Sequence, residues 1–196
     1  MDARDEADYI AYVTGRLPVL RRMAANLVGD PHRGDDLVQQ AITRLYVHWQ
    51  RAKQAVNLDA YLYKILLRAF LDEQRRPWSS VRLRETFTGS DAGDARLTTS
   101  AAEDPAGPVA DRMLLRDALA TLPPKQRAVL VLRFIADRSV DEVAQILDIA
   151  PGTVKSQTYD GLNALRRLLG QPEASDDPIP AARSRPGSPL DSGVSA

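Results

Sequence analysis

Residues 139–158 read SVDEVAQILDIAPGTVKSQT. Ser139 and Glu142 have the S-x-x-E spacing of a capping box, which sets a helix start at Val140. Val143, Ala144, Ile146 and Leu147 follow at helical spacing and face inward. Asp148-Ile149-Ala150 leaves room only for a turn, and Pro151 suits the first position of a second helix, which runs to Leu169-Gly170. Helix, short turn, helix is the layout of a helix-turn-helix. The small Ala144 lets the two helices cross closely, and Ile149 and Val154 plug the interface between them. Asp148 stands where many such turns place Gly, at a position that takes left-handed backbone. Asp tolerates that conformation better than most residues. In this motif the N-terminal end of the second helix enters the major groove. Thr153, Lys155, Ser156, Gln157 and Thr158 are therefore the candidate contacts to phosphates and base edges. Arg166, with Arg167 beside it, lies about three turns on and is placed to hold the DNA backbone.

Upstream of this motif, Asp111–Thr121 is amphipathic, with Met113, Leu114, Ala118 and Leu122 spaced for burial. Leu122-Pro123-Pro124 breaks that helix, and Pro124 opens the next one, Lys125–Ile135, with Val129, Leu130, Leu132 and Phe134 apolar. The N-terminal part is helical as well. A first helix over about 5–28 ends at Gly29-Asp30-Pro31. A second begins near Asp35-Asp36 and buries Leu37, Val38, Ala41, Ile42, Leu45, Tyr46 and Trp49. Its opposite face carries Asp36, Gln39, Gln40, Thr43, Arg44 and Val47. A third starts after Asn57 or Asp59, either of which suits an N-cap, and runs to about Arg76, where Pro77 stops it. The loop 50–57 is polar and basic and lies between Tyr46 and Trp49 on one side and Tyr61 and Tyr63 on the other. Cations hold a nucleic-acid backbone and rings stack on exposed bases, so the pattern suits a single strand. Aromatics at helical spacing fit an ordinary core equally well.

Between and after these blocks the composition changes. Residues 86–110 are rich in Gly, Ala, Ser and Thr, and 171–196 hold five of the thirteen prolines. Neither has the apolar surface to offset chain entropy, so both read as linker or tail. The chain is 196 residues with 26 basic and 26 acidic side chains. The balance is not uniform. Residues 1–76 carry 12 basic and 10 acidic groups, 77–110 carry 3 and 5, 111–170 carry 9 and 7, and 171–196 carry 2 and 4. Two weakly basic blocks alternate with two acidic ones, which excludes a protein that coats nucleic acid by bulk charge. The chain has no cysteine, which excludes disulfides, thiolate zinc and thiol nucleophiles. No Walker-type, zinc-protease, serine-hydrolase or dinucleotide motif occurs, so neither an enzyme nor a cofactor or metal is expected. No apolar run is long enough to span a membrane, and the acidic start MDARDEAD is not a signal peptide, so a cytoplasmic protein is expected.

The two blocks together resemble the extracytoplasmic-function sigma factors, the small two-domain branch of the bacterial sigma-70 family, and within it an actinobacterial subgroup. Asp35-Asp36-Leu37-Val38-Gln39-Gln40 is similar to the D-L-V-Q-E core of region 2, and Tyr61-Leu62-Tyr63-Lys64 with Asp72-Glu73-Gln74-Arg75-Arg76 to its last helix. Leu122-Pro123-Pro124-Lys125-Gln126-Arg127 resembles the L-P-x-x-x-R opening of region 4, and Gly152-Thr153-Val154-Lys155-Ser156 its recognition-helix start. The resemblance implies an all-α protein of two small helical domains joined by a flexible linker. Region 2 spans 1–76, the acidic linker 77–110, region 4 111–170 and a disordered tail 171–196. It implies core RNA polymerase and promoter DNA as partners, with an anti-sigma factor as a further candidate. Asp36, Gln39, Gln40 and Arg44 are then the polymerase-binding face. Arg51, Lys53, Asn57, Tyr61, Lys64 and Arg68 would capture the melted −10 element, and Thr153, Lys155, Ser156, Gln157, Thr158 and Arg166 would read the −35 element. The alternative is a helix-turn-helix regulator acting without polymerase. A charge of +2 per block gives such a protein little hold on phosphates, and it leaves the first block unexplained.

Overall fold

A computed structural model describes residues 2–75 and 109–170. The expected tail and nearly all of the expected linker lie outside the described residues. Among the described residues all regular structure is helical. Helix α1 (Ala3–Val28) is capped by Asp2, whose carboxylate accepts the N–H of Asp5 at 2.8 Å. It ends at Gly29, whose backbone is left-handed at φ 80°. Asp30 then caps α2 (Pro31–Val47), accepting the N–H of His32 at 2.7 Å and of Arg33 at 3.3 Å. This corrects the start expected near Asp35-Asp36. Pro31 stops one helix and opens the next, because its missing N–H falls where a helix has no acceptor for it. A single turn, α3 (Trp49–Ala52), takes Trp49 from the expected second helix and the first three residues of the segment 50–57 expected as a loop. Asn57 Oδ1 accepts the N–H of Ala60 at 2.9 Å and opens α4 (Leu58–Arg75).

In the second half, α5 (Val109–Thr121) takes in Val109 and Ala110, which composition had placed with the linker. Helix α6 (Pro124–Leu130) passes into a π-helical turn, Val131–Ile135. Helix α7 (Val140–Leu147) starts on the expected capping box: Glu142 N–H donates to Ser139 Oγ at 3.1 Å, and Ser139 N–H to Glu142 Oε2 at 2.8 Å. Asp148 is left-handed at φ 58°, and α8 (Pro151–Leu168) follows. Met113, Leu114 and Phe134, expected to be apolar positions facing inward, are more than half exposed. Only the C-terminal half of α5 meets the other helices, so Ala118, Leu119 and Leu122 are buried instead, with Leu130 and Leu165.

The two halves share one core. Leu20, Met23 and Leu27 of α1, Leu37 and Leu45 of α2, and Leu62, Leu66 and Phe70 of α4 are continuous with Val129, Leu132, Val143 and Val154. Arg127 joins the halves. Its Nη1 donates to Leu27 O at 2.5 Å, and its Nη2 to Ala120 O at 2.6 Å and Leu122 O at 3.0 Å. These carbonyls lie at the ends of α1 and α5, where a helix leaves acceptors unpaired and its dipole favours a cation. The guanidinium also faces the Phe70 ring, 5.8 Å from its centroid. Burial pulls the Arg127 pKa below its ordinary value, and the carbonyls supply the compensation. A second cation contact crosses the joint, with Arg138 5.6 Å from the centroid of Tyr63.

Helices α1 and α2 cross at Gly34, where a Cβ would stand 2.9 Å from the backbone N of Ala25. Backbone cannot rotate aside as a side chain can. Gly34→Ala is expected to lower unfolding free energy by about 1–3 kcal/mol, the scale of overpacking, in chemical denaturation. Unchanged stability would place the crossing elsewhere.

Candidate nucleic-acid interface

Helix α8 sorts its side chains by phase. Val154, Thr158, Gly161 and Leu165 form the inward stripe, and Gly161 lets the helix approach Leu130 so closely that a Cβ would lie 2.9 Å from its side chain. Lys155, Ser156, Tyr159 and Asp160 lie on the exposed face. Thr158 is therefore corrected as a base contact. It is 1% exposed, and its hydroxyl donates to Val154 O at 2.7 Å. Thr153 and Gln157 are half-buried, and Ser156 Oγ donates to Thr153 O at 3.1 Å. Arg166 is half-buried and donates to Asn163 Oδ1 at 2.9 Å. Tyr159 was missed by sequence reasoning. Its position four residues after Lys155 puts it on the same face, and that phase was legible.

The second set converges only in part. Arg51, Tyr61 and Arg68 line a cavity of about 290 Å³ together with Arg44, His48 and Ile65. Arg44 had been assigned to the polymerase face, so that face runs into the cavity. Lys64 is half-buried on α4, while Asn57 is spent on its helix cap. Lys53 does not join the cavity, because its ammonium donates to Asp5. Along α2, Asp36, Gln39, Gln40 and Arg44 are all exposed, continued by Thr43 and Val47. Arg33 pairs with Glu73 at 2.5 Å and Arg21 with Asp35 at 3.2 Å, which fixes the start of this helix against α4 and α1.

This architecture is matched by known proteins. Sigma-70 region 2 matches residues 13–79, and sigma-70 region 4 matches residues 112–165. RNA polymerase sigma-E factor of Streptomyces coelicolor is 35% identical over 162 residues, covering 83% of this chain and 86% of that protein. A solved structure of the sigma factor RpoE in complex with the anti-sigma factor NepR, from Bartonella quintana, is similar with a TM-score of 0.63. It is 26% identical and covers 83% of this chain and 97% of that one. A helical region 2 followed by a helix-turn-helix region 4 defines a sigma-70 family protein, and this chain belongs to that family as an RNA polymerase sigma factor. ECF RNA polymerase sigma factor SigL of Mycobacterium tuberculosis is 32% identical over 77% of this chain and 82% of that protein. The chain is thus a member of the extracytoplasmic-function branch. No helix among the described residues is long and apolar enough to cross a membrane.

The cap that holds the helix-turn-helix is electrostatic. Burial raises the pKa of Glu142, but the bonds from Ser139 and the charge of Arg138, at 3.1 Å, outweigh it and hold the carboxyl below its ordinary value. A depressed pKa stabilises the fold above the unfolded value, and that stability is lost as pH falls through the folded one. Glu142→Gln is expected to flatten the loss of thermal stability on acidification below about pH 5, in melts followed by circular dichroism. An unchanged acid slope would remove Glu142 from the account.

Proposed function

We propose that this sigma factor reads its promoter through two surfaces that part company on binding. Lys155, Ser156 and Tyr159 on α8 read the duplex −35 element. The N-terminus of α8, whose Ala150 cap offers no side-chain acceptor, faces the phosphates. The cavity of Arg51, Tyr61 and Arg68 receives the non-template strand of the −10 element, with guanidinium groups on the backbone and the phenol ring available for stacking. The α2 face of Asp36, Gln39, Gln40 and Arg44 docks on a helix of core polymerase. The protein acts in the cytoplasm by binding and has no chemistry of its own. The solved RpoE is in complex with the anti-sigma factor NepR, which supports an anti-sigma factor as a further partner of this chain.

The shared core carries the first part of this reading. Promoter elements 25 base pairs apart are separated by roughly 85 Å of duplex at 3.4 Å per pair. Helix α8 is only about 27 Å long, and it packs in the same body as α4. The packed arrangement therefore cannot engage both elements, and the halves must separate. Residues 76–108 are long enough to span roughly 110 Å when extended. The stand-alone regulator is not favoured, because it has no use for region 2.

Purified chain plus core polymerase is expected to give specific run-off transcripts from a promoter mapped by its overexpression, with neither component active alone. Arg51→Ala and Arg68→Ala together should reduce the yield by roughly tenfold or more, the scale of one or two lost charged contacts. Separation is measured directly, since the chain has no native cysteine to interfere with labelling. Energy transfer between dyes on Glu6→Cys and Asp117→Cys should fall when core polymerase and promoter are added. Unchanged transfer in an active complex would sink the separation.

A further inference from the structure

We propose that the N-terminal half of α1 is a brace for the −10-reading segment, with Asp5 a positioning residue that acts through Gln50 and Lys53. The proposal deepens the assignment of that segment to the −10 element and rests on it.

One stripe of α1, residues 5, 9, 12 and 16, meets successive parts of the segment from Ile42 to Asp59. Asp5 lies in the first turn of the helix, yet its side chain is only 10% exposed. Its Oδ1 accepts from Lys53 Nζ, and its Oδ2 from Gln50 Nε2. Tyr9 is edge-on to Tyr46 and Trp49, at centroid distances of 5.2 and 5.4 Å, and its hydroxyl donates to Ile42 O at 2.8 Å. Tyr12 leans on Trp49 at 5.9 Å and donates to Asp59 Oδ1 at 2.9 Å. Arg16 pairs with the same oxygen at 2.8 Å. The segment is thus held at its entry by Asp5 and the rings, and at its exit by Asp59.

Tyr9 and Tyr12 pack on the edge of the core at Trp49, while the fully buried aliphatic contacts of α1 lie further along the helix, at Leu20, Met23, Ala24 and Leu27. The region 2 match begins at residue 13, so Asp5, Tyr9 and Tyr12 lie ahead of it. The brace also explains where Lys53 points. Hydrogen bonds from Lys53 and Gln50 keep the Asp5 carboxyl below its ordinary pKa, so it stays charged and holds both donors near neutral pH. Gln50 and Lys53 flank Arg51, whose guanidinium is left to the cavity. A segment ordered beforehand does not lose that chain entropy when it captures a strand. The opposite role for Asp5 is a phosphate mimic that blocks Lys53 until DNA displaces it. The two roles predict opposite signs.

The test uses holoenzyme assembled from the full chain and core polymerase, on the promoter mapped by overexpression, with permanganate reactivity of −10 thymines as the readout. Asp5→Ala is expected to reduce strand opening by roughly tenfold, the scale of one charge-assisted hydrogen bond, without loss of affinity for core polymerase. Asp5→Asn keeps an acceptor for Gln50 and should fall between. The exchange Asp5→Lys with Lys53→Asp should restore most of the opening. Equal or greater opening by Asp5→Ala, or an exchange variant as poor as Asp5→Ala, overturns the brace. If Asp5→Ala does not fold, Gln50→Met, which removes the other donor to Asp5 without removing a cation, is read instead: a loss of opening supports the brace and no loss overturns it. Arg51→Ala with Arg68→Ala separates the two levels. If that pair leaves opening intact, the −10 assignment fails. If it abolishes opening while Asp5→Ala does not, only the brace fails.

Discussion

Arg127 sets how the two halves of the chain meet. Apolar contact between α4 and the turn from α6 to α7 is non-directional, and Val129 or Leu132 would be buried equally well in several registers. A guanidinium is not so tolerant. The carbonyls of Ala120 and Leu122, in its own half, fix Nη2, and only a docking that brings Leu27 O of the other half to Nη1 completes the set. Burying a cation is expensive, so the joint gains specificity more than strength. The same property suits the opening of the joint that we propose. When the halves part, the desolvation penalty on Arg127 is recovered, which offsets part of the apolar contact that is lost.

The helix-turn-helix was legible because its determinants are local. A capping box, an Asp that accepts left-handed backbone and a Pro at a helix start each act within a few residues, and each is found where the sequence places it. Local signals misled where one residue has two uses. Pro31 ends one helix and begins another, and only Asp30's carboxylate, turned toward His32 and Arg33, tells which use is realised. Thr158 was selected for its residue type, although helical phase already put it below Val154 in the core. Lys53 and Asn57 fit a nucleic-acid loop by composition, but one is paired with Asp5 and the other caps α4. The common core was not legible at all. An apolar stripe shows that a face is covered and not by what, and Tyr63 or Phe70 would look the same in an isolated bundle.

The cationic side chains are unequally shared between the two reading surfaces. Around the region 2 cavity stand Arg44, Arg51 and Arg68 with His48. On the exposed start of α8 there is Lys155, and Asp160, also exposed, follows five residues later. Non-specific hold on DNA comes from neutralised phosphates, and α8 offers few. On the proposed reading its contribution rests on what base edges and groove shape give to Ser156 and Tyr159.

That imbalance bears on the order of events. A recognition helix with strong phosphate contacts would bind duplex in the packed state and hold the chain on DNA without polymerase. Weak duplex contacts avoid this, and the α4 surface cannot compensate, because its strand is exposed only after melting. On the proposed reading polymerase binds first, and its docking energy opens the joint at Arg127 before either element is engaged in full. The near-zero net charge and the shared core thus fit one proposal: a specificity subunit that stays off free DNA until polymerase supplies the grip.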